Sequence, residues 1–199
     1  MAWKKLSSTL IYENDWMEIR EDDVVNPGGG RNKYGHVHFK NIAVAILPLD
    51  EYGNTWLVGQ SRSTLGDYSW ELPMGGAPIN ETPLEAAKRE LQEETGLSAT
   101  DWTEILRLHT SNSITDEVGV VFLASGLTQG QTDFEETEDL TVRKLPVDEA
   151  VRMAMEGEIT DAISVAALLA YTTQAKTRGK QGECNRRYRQ NPDAPARRS

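Results

Sequence analysis

Cysteine is almost absent from this chain of 199 residues. Cys184 stands alone, which excludes an internal disulfide framework and a multi-cysteine metal site. A reducing compartment, the cytoplasm, is the expectation. Long apolar runs are lacking as well. The longest, Ala162 to Tyr171, has 10 residues and contains Ser164, so it reads as a buried helix rather than a membrane span. No continuous hydrophobic segment follows Met1-Ala2-Trp3-Lys4-Lys5, and no secretory signal is expected. Positive charge is scarce outside the tail. Lys176 to Ser199 hold eight Lys/Arg against two acids, leaving 13 bases and 29 acids in the preceding 175 residues. An acidic body repels a nucleic-acid backbone, so a nucleic-acid partner is not expected. It also repels a polyphosphate, so a phosphate substrate would need divalent cations to offset the charge.

What is present suits one globular domain with a small appendage: 38% hydrophobic residues, five Trp and six Tyr, enough to build a core. Leu10 to Tyr12, Trp16 to Val25 and Tyr34 to Phe39 read as strands. Asn14-Asp15 and Asn26-Pro27-Gly28-Gly29-Gly30 supply the turns between them. Two further strands, Ile42 to Pro48 and Thr55 to Gln60, flank the turn Asp50-Glu51-Tyr52-Gly53-Asn54, and Ser69 to Leu72 is a short extended piece. Trp102 to His109 and Val118 to Ala124 are strands; Asp148 to Glu156 and Thr160 to Gln174 are helices split by Gly157. The expected organisation is an N-terminal antiparallel sheet over 1–40, a main domain over 41–175, and a basic, disordered tail over 176–199.

The informative segment runs from Gly75 to Leu97. Thr82-Pro83-Leu84-Glu85 predicts a helix start, with Thr82 as cap, Pro83 in the first turn and Glu85 closing a capping box. Gly96 is the natural stop. Leu84, Ala87 and Leu91 share one helical face, and Glu90 and Glu94, four apart, border it; Glu93 is the next neighbour round the cylinder. Like charges so crowded are unfavourable. Arg89 reaches Glu93 at i+4, yet one Arg does not neutralise three Glu. A hard divalent cation does, because it prefers carboxylate oxygens. A lone Glu-x-x-Glu-Glu is ordinarily just a solvated helix face.

The whole segment changes that balance. Gly75, Glu81, Arg89, Glu90, Leu91, Glu93, Glu94, Gly96 and Leu97 occupy every fixed position of the pattern G-x5-E-x7-R-E-U-x-E-E-x-G-U, U being aliphatic. With each residue type near about 5–8% of average composition, a chance match here is roughly one in ten million. The chain resembles the Nudix hydrolase superfamily. The resemblance implies an α/β fold, a Nudix α/β/α sandwich with a mixed sheet, preceded here by the small antiparallel sheet. It implies that Glu90, Glu93 and Glu94 bind metal, Mg²⁺ or alternatively Mn²⁺, that Glu81 supports the loop, and that Arg89 orients the carboxylates.

The likeness extends outward, over roughly residues 6 to 172, to the ADP-ribose pyrophosphatase branch. Trp70-Glu71-Leu72-Pro73-Met74-Gly75 is similar to its W-E-L-P-A-G lead-in, whose main-chain carbonyl, here that of Met74, is a metal ligand. Gln60-Ser61-Arg62 is similar to its Q-x-R, in which the arginine, here Arg62, meets a substrate phosphate. Ser113 to Ala124 is similar to its S-x-x-x-E strand entry, and Gly157-Glu158-Ile159-Thr160-Asp161-Ala162 to its junction between the last two helices. The acidic stretch Phe134 to Leu140 is similar to a loop that donates a general base and another metal ligand, assigned by position to Glu136 and Glu138. Glu93 is the alternative base, and a merely solvated acidic turn is the alternative for the loop. In this branch the N-terminal sheet crosses to a second subunit. That implies a homodimer in which Trp3, Trp16 and Arg20 are candidates to stack on a base or touch phosphate; as plain residues they are packing residues. The implied activity is hydrolysis of the diphosphate of a nucleoside diphosphate sugar, ADP-ribose or an ADP-sugar favoured. A Nudix enzyme for GDP-mannose, a dinucleoside polyphosphate, NADH or coenzyme A is the alternative, and a non-catalytic nucleotide-sugar sensor the remaining one.

Overall fold

A computed structural model describes residues 2–131 and 140–174. The chain opens with β1 (Lys4–Glu13), β2 (Met17–Val25) and β3 (Arg31–Phe39), an antiparallel sheet in the order β1-β2-β3. The expected turns close it. Asn14 Oδ1 accepts the N–H groups of Trp16 and Met17 at 2.9 and 2.8 Å. Asn26 Oδ1 accepts those of Gly28 and Gly30 at 2.9 and 3.0 Å, while Gly29 takes φ 89°, a conformation that favours glycine. β1 runs well beyond the three residues read as a strand, and all of it is exposed.

Only Lys40 and Asn41 separate β3 from β4 (Ile42–Pro48), where the main body begins. There follow β5 (Asn54–Arg62), β6 (Asp67–Glu71), β7 (Met74–Ala77), α1 (Pro83–Thr95), β8 (Leu97–His109), β9 (Val118–Gln129), β10 (Thr141–Pro146) and α2 (Val147–Glu156). A third helix, α3, covers 162–174. Four strands form a mixed sheet, β7-β4-β9-β8, in which β4 and β9 are parallel and the outer pairs antiparallel. A second sheet has the order β10-β5-β6.

β4 explains the layering. Val44, Ala45, Ile46 and Leu47 are all fully buried, as expected of a strand covered on both faces. Val44 and Ile46 join Ala86, Ala87 and Leu91 of α1 in one apolar cluster. Ala45 and Leu47 join Ala150 and Met153 of α2 and Ile163, Ala167 and Leu168 of α3 in the other. Alternate side chains of one strand thus feed two cores, and the result is the expected α/β/α sandwich. Among the described residues no helix is long and apolar enough to cross a membrane.

The two parts of the chain are also tied through the segment between β8 and β9. Val37 donates its N–H to the Ile114 carbonyl at 2.9 Å. Asp116 accepts the Phe39 N–H at 3.1 Å and meets His38 Nδ1 at 2.6 Å.

Candidate active site

The site is assembled where β7 runs into α1. The capping box forms as the sequence predicts: Thr82 Oγ1 accepts the Glu85 N–H at 3.2 Å, and the Glu85 carboxylate accepts the Thr82 N–H at 2.9 Å. At the far end Gly96 adopts φ 70° and donates to the Gln92 carbonyl at 2.8 Å. Both ends being fixed, the rotation of α1 about its axis is fixed too. Ala86, Ala87 and Leu91 go into the core, and Glu94, only 3% exposed, goes in beside them.

A buried carboxylate needs a donor. Glu94 Oε2 accepts the backbone N–H of Met74 at 2.9 Å. Glu90 lies against the neighbouring residue. A Cβ placed on Gly75 would come within 2.0 Å of Glu90 Oε1, so the missing side chain of Gly75 is the space the Glu90 carboxylate fills. Arg89 closes the cluster from the other side. Its guanidinium donates to Glu81 at 3.0 and 3.2 Å, to Glu90 at 2.8 Å, to Glu93 at 2.9 Å and to the Gly76 carbonyl at 3.0 Å. The Glu81 hydrogen bonds, then the charge of Glu90 and the hydrogen bonds to Glu90 and Glu93, hold this guanidinium well above its usual range against the opposing effect of burial. It is a permanent cation at the root of an acidic cluster.

Glu90, Glu93 and Glu94 line one cleft of about 320 Å³ with Met74, Gly75, Gly76, Ala43, Val44, Gln60 and Arg62. A larger hollow of about 510 Å³ lies by Tyr52, Trp56 and Lys144, but it lacks this set of carboxylates, and chemistry favours the smaller cleft. Arg62 is the one basic side chain among the described residues lining it. Its Nε donates to Glu71 Oε1 at 2.9 Å, and its Nη2 donates to Glu71 Oε2. The three glutamates fit a hard cation by donor type. Among the described residues, however, no three or more His, Cys, Asp or Glu side chains are arranged so as to hold a metal ion; Arg89 binds both Glu90 and Glu93. The fit is one of donor chemistry, all oxygen, with the Glu90 carboxylate seated against Gly75.

The structure therefore brings Arg62, Met74, Glu90, Glu93 and Glu94 together. Two other candidates lie elsewhere on the chain. Arg20 pairs with Glu18 at 2.5 Å. Trp3 packs edge-on against Tyr34 with ring centroids 5.5 Å apart, beside a hollow of about 460 Å³ shared with Asp22 and His36. Glu136 and Glu138 lie outside the described residues, as does the tail from 175 on. Two features have no counterpart in the sequence reading: the contact between Gly75 and Glu90, and the role of Glu71. The signal for Glu71 is its place in the Trp70-Glu71-Leu72-Pro73-Met74-Gly75 stretch, which gives it no partner.

A site of this form on an α/β/α sandwich defines a class of enzyme. The chain belongs to the Nudix family of hydrolases: the NUDIX domain model matches residues 39–168. A second model, the nucleoside diphosphate sugar hydrolase N-terminal domain, matches residues 3–37. The chain is 38% identical over 172 residues to the ADP-ribose pyrophosphatase of Mycobacterium tuberculosis (strain ATCC 25618 / H37Rv), covering 84% of this chain and 82% of that protein. It is 30% identical over 167 residues to the ADP-ribose pyrophosphatase of Bacillus subtilis (strain 168), covering 83% and 90%. Among solved structures, that of an ADP compounds hydrolase superposes with a TM-score of 0.80 at 22% identity, covering 90% of this chain and 97% of that one. This last likeness bears on the fold.

Proposed function

We propose that the protein hydrolyses the diphosphate bond of a nucleoside diphosphate sugar, ADP-ribose or an ADP-sugar, releasing a nucleoside monophosphate and a sugar phosphate, with Mg²⁺ as its divalent ion. One observation carries this reading: three glutamates of one helix face share a cleft with a single arginine, and Gly75 leaves the space in which Glu90 sits. The ADP-ribose pyrophosphatases among its relatives support the choice of substrate.

Each residue has a part. Glu90, Glu93 and Glu94, with the Met74 carbonyl, would hold the cation, with Glu138 as a further ligand. A bound divalent cation supplies charge neutralisation of the diphosphate and activation of water. Arg89 keeps Glu90 and Glu93 oriented; Arg62 binds a phosphate. Glu136 takes the proton of the attacking water, with Glu93 as the alternative base. Trp3 and Arg20 reach substrate only across a homodimer, built through the exposed β1 sheet.

The test is a hydrolysis panel with and without Mg²⁺, covering ADP-ribose, ADP-sugars, GDP-mannose, a dinucleoside polyphosphate, NADH and coenzyme A. Mg²⁺-dependent release of AMP from ADP-ribose or an ADP-sugar at the highest kcat/KM is expected; a higher value for any other compound overturns the substrate. Glu94→Gln should lower kcat by about 1,000-fold or more. Gly75→Ala sharpens the result. The three atoms nearest the new methyl all belong to the end of the flexible Glu90 side chain, so the fold should survive while the displaced carboxylate lowers kcat about 100-fold. Unchanged turnover in both variants would refute the site.

A further inference from the structure

We propose that Glu71 is a positioning residue that holds Arg62 away from the cleft's own glutamates and presents it to a substrate phosphate. The proposal rests on the substrate reading above.

Glu71 is 4% exposed and takes both Nε and Nη2 of Arg62 in a fork. Such a pair, a buried carboxylate with a partly exposed guanidinium, is not needed to join the two strands. The β5–β6 backbone ladder already runs in register from Val58↔Glu71 to Arg62↔Asp67, and an ion pair with one partly exposed partner adds little to stability. What the pair does control is where the guanidinium goes. Arg62 shares its cleft with Glu90, Glu93 and Glu94. Arg89 shows the fate of a guanidinium within reach of that cluster: it binds Glu90 and Glu93 directly. An unanchored Arg62 would do likewise, and the cluster would lose charge that it needs for a cation. Glu71 competes for the same guanidinium from outside the cluster and holds its charge, aided by the nearby Glu94 and Asp161.

The geometry of arginine supplies the second half. A guanidinium has two edges suited to a pair of oxygens. Glu71 takes the edge formed by Nε and Nη2. The edge formed by Nη1 and the second N–H of Nη2 is outside that fork and matches two phosphoryl oxygens. Arg62 then bridges a buried carboxylate and an anion without a change of rotamer, so little entropy is lost when the anion binds.

The experiment compares Glu71→Gln, Arg62→Lys and the double variant, by steady-state kinetics on the best panel substrate, by calorimetry with inorganic pyrophosphate and Mg²⁺, and by thermal melting. Glu71→Gln should raise KM and weaken pyrophosphate binding by about tenfold or more, the scale of one charge-assisted hydrogen bond, and raise the Mg²⁺ concentration needed for half-maximal rate, with kcat at saturating Mg²⁺ within about threefold, the mark of lost ground-state binding. The double variant should be no worse than Arg62→Lys alone, because both remove one device. A lowered Tm with KM and pyrophosphate affinity unchanged would make the pair a mere tie between strands and overturn the proposal; so would effects that multiply in the double variant. If Glu71→Gln does not fold, Glu71→Asp keeps the charge but shortens the fork, and a smaller rise in KM is expected, its absence counting against the proposal. A wild-type protein that turns over no nucleoside diphosphate sugar, combined with weaker pyrophosphate binding in Glu71→Gln, would sink the substrate reading and leave the clamp standing.

Discussion

The main body and the N-terminal sheet handle their apolar side chains in opposite ways. In β4, four successive residues from Val44 to Leu47 are completely buried, shared between two helix layers. In β1, Leu6, Leu10, Ile11 and Tyr12 are between 43% and 60% exposed, and the turn after it leaves Trp16 at 64%. A three-stranded sheet is stable only when one face is covered. The body thus covers its own faces, whereas the sheet leaves apolar side chains exposed. The candidate residues follow the same division: Arg62, Met74, Glu90, Glu93 and Glu94 all belong to the body, and Trp3 and Arg20 to the sheet.

The comparison breaks most readily at the body's core. Leu91 is fully buried between α1 and β4 and sits one residue after Glu90. Leu91→Ala should cost about 2–5 kcal/mol, which for a chain of this size lowers Tm by roughly 5–15 °C. Differential scanning calorimetry measures it; a loss below about 1 kcal/mol would mean that the body is not the self-sufficient half. The next effect is smaller. Thr82→Ala removes the capping hydroxyl of α1 and should cost about 1 kcal/mol. Because that cap sets the rotation of the Glu90–Glu94 face, kcat should fall with it. A variant with wild-type Tm and kcat would show that the core alone orients the helix.

The site was legible where it depends on local chemistry. The cap at Thr82, the stop at Gly96 and the carboxylates at 90, 93 and 94 lie within one helix, and helical periodicity alone places them on one side. What escaped depends on partners distant in sequence. Met74-Gly75-Gly76-Ala77 has no strand character of its own and becomes β7 only by pairing with Ile42 to Ala45. In sequence only Leu10 to Tyr12 of β1 show strand character, because Ser7, Ser8 and Thr9 give no apolar alternation, and its ten residues follow from the ladder with β2. Glu71 has no visible purpose until the β5–β6 hairpin returns it to Arg62. Gly75 was read as a motif position, and only the packing of α1 on β7 shows that its missing Cβ is filled by Glu90.

The smallest stability effect is expected in the sheet, and it sharpens the comparison most. Leu10 lies opposite Arg20 in the ladder and is 44% exposed. Within one chain, replacing it by Lys removes little buried area, so Leu10→Lys should change the stability of an isolated protomer by no more than about 0.5 kcal/mol. If β1 docks on a second copy, the same change puts a charge into an apolar contact, and the homodimer should dissociate at concentrations where the wild type is dimeric. Sedimentation equilibrium separates the two effects. A dimeric wild type and a monomeric, still folded Leu10→Lys variant are expected; a wild type that is monomeric at every concentration, or a variant that stays dimeric, would remove the sheet from the interface. Loss of turnover in that monomer, with Glu90, Glu93 and Glu94 untouched, would then assign the missing part of substrate binding to residues of the sheet.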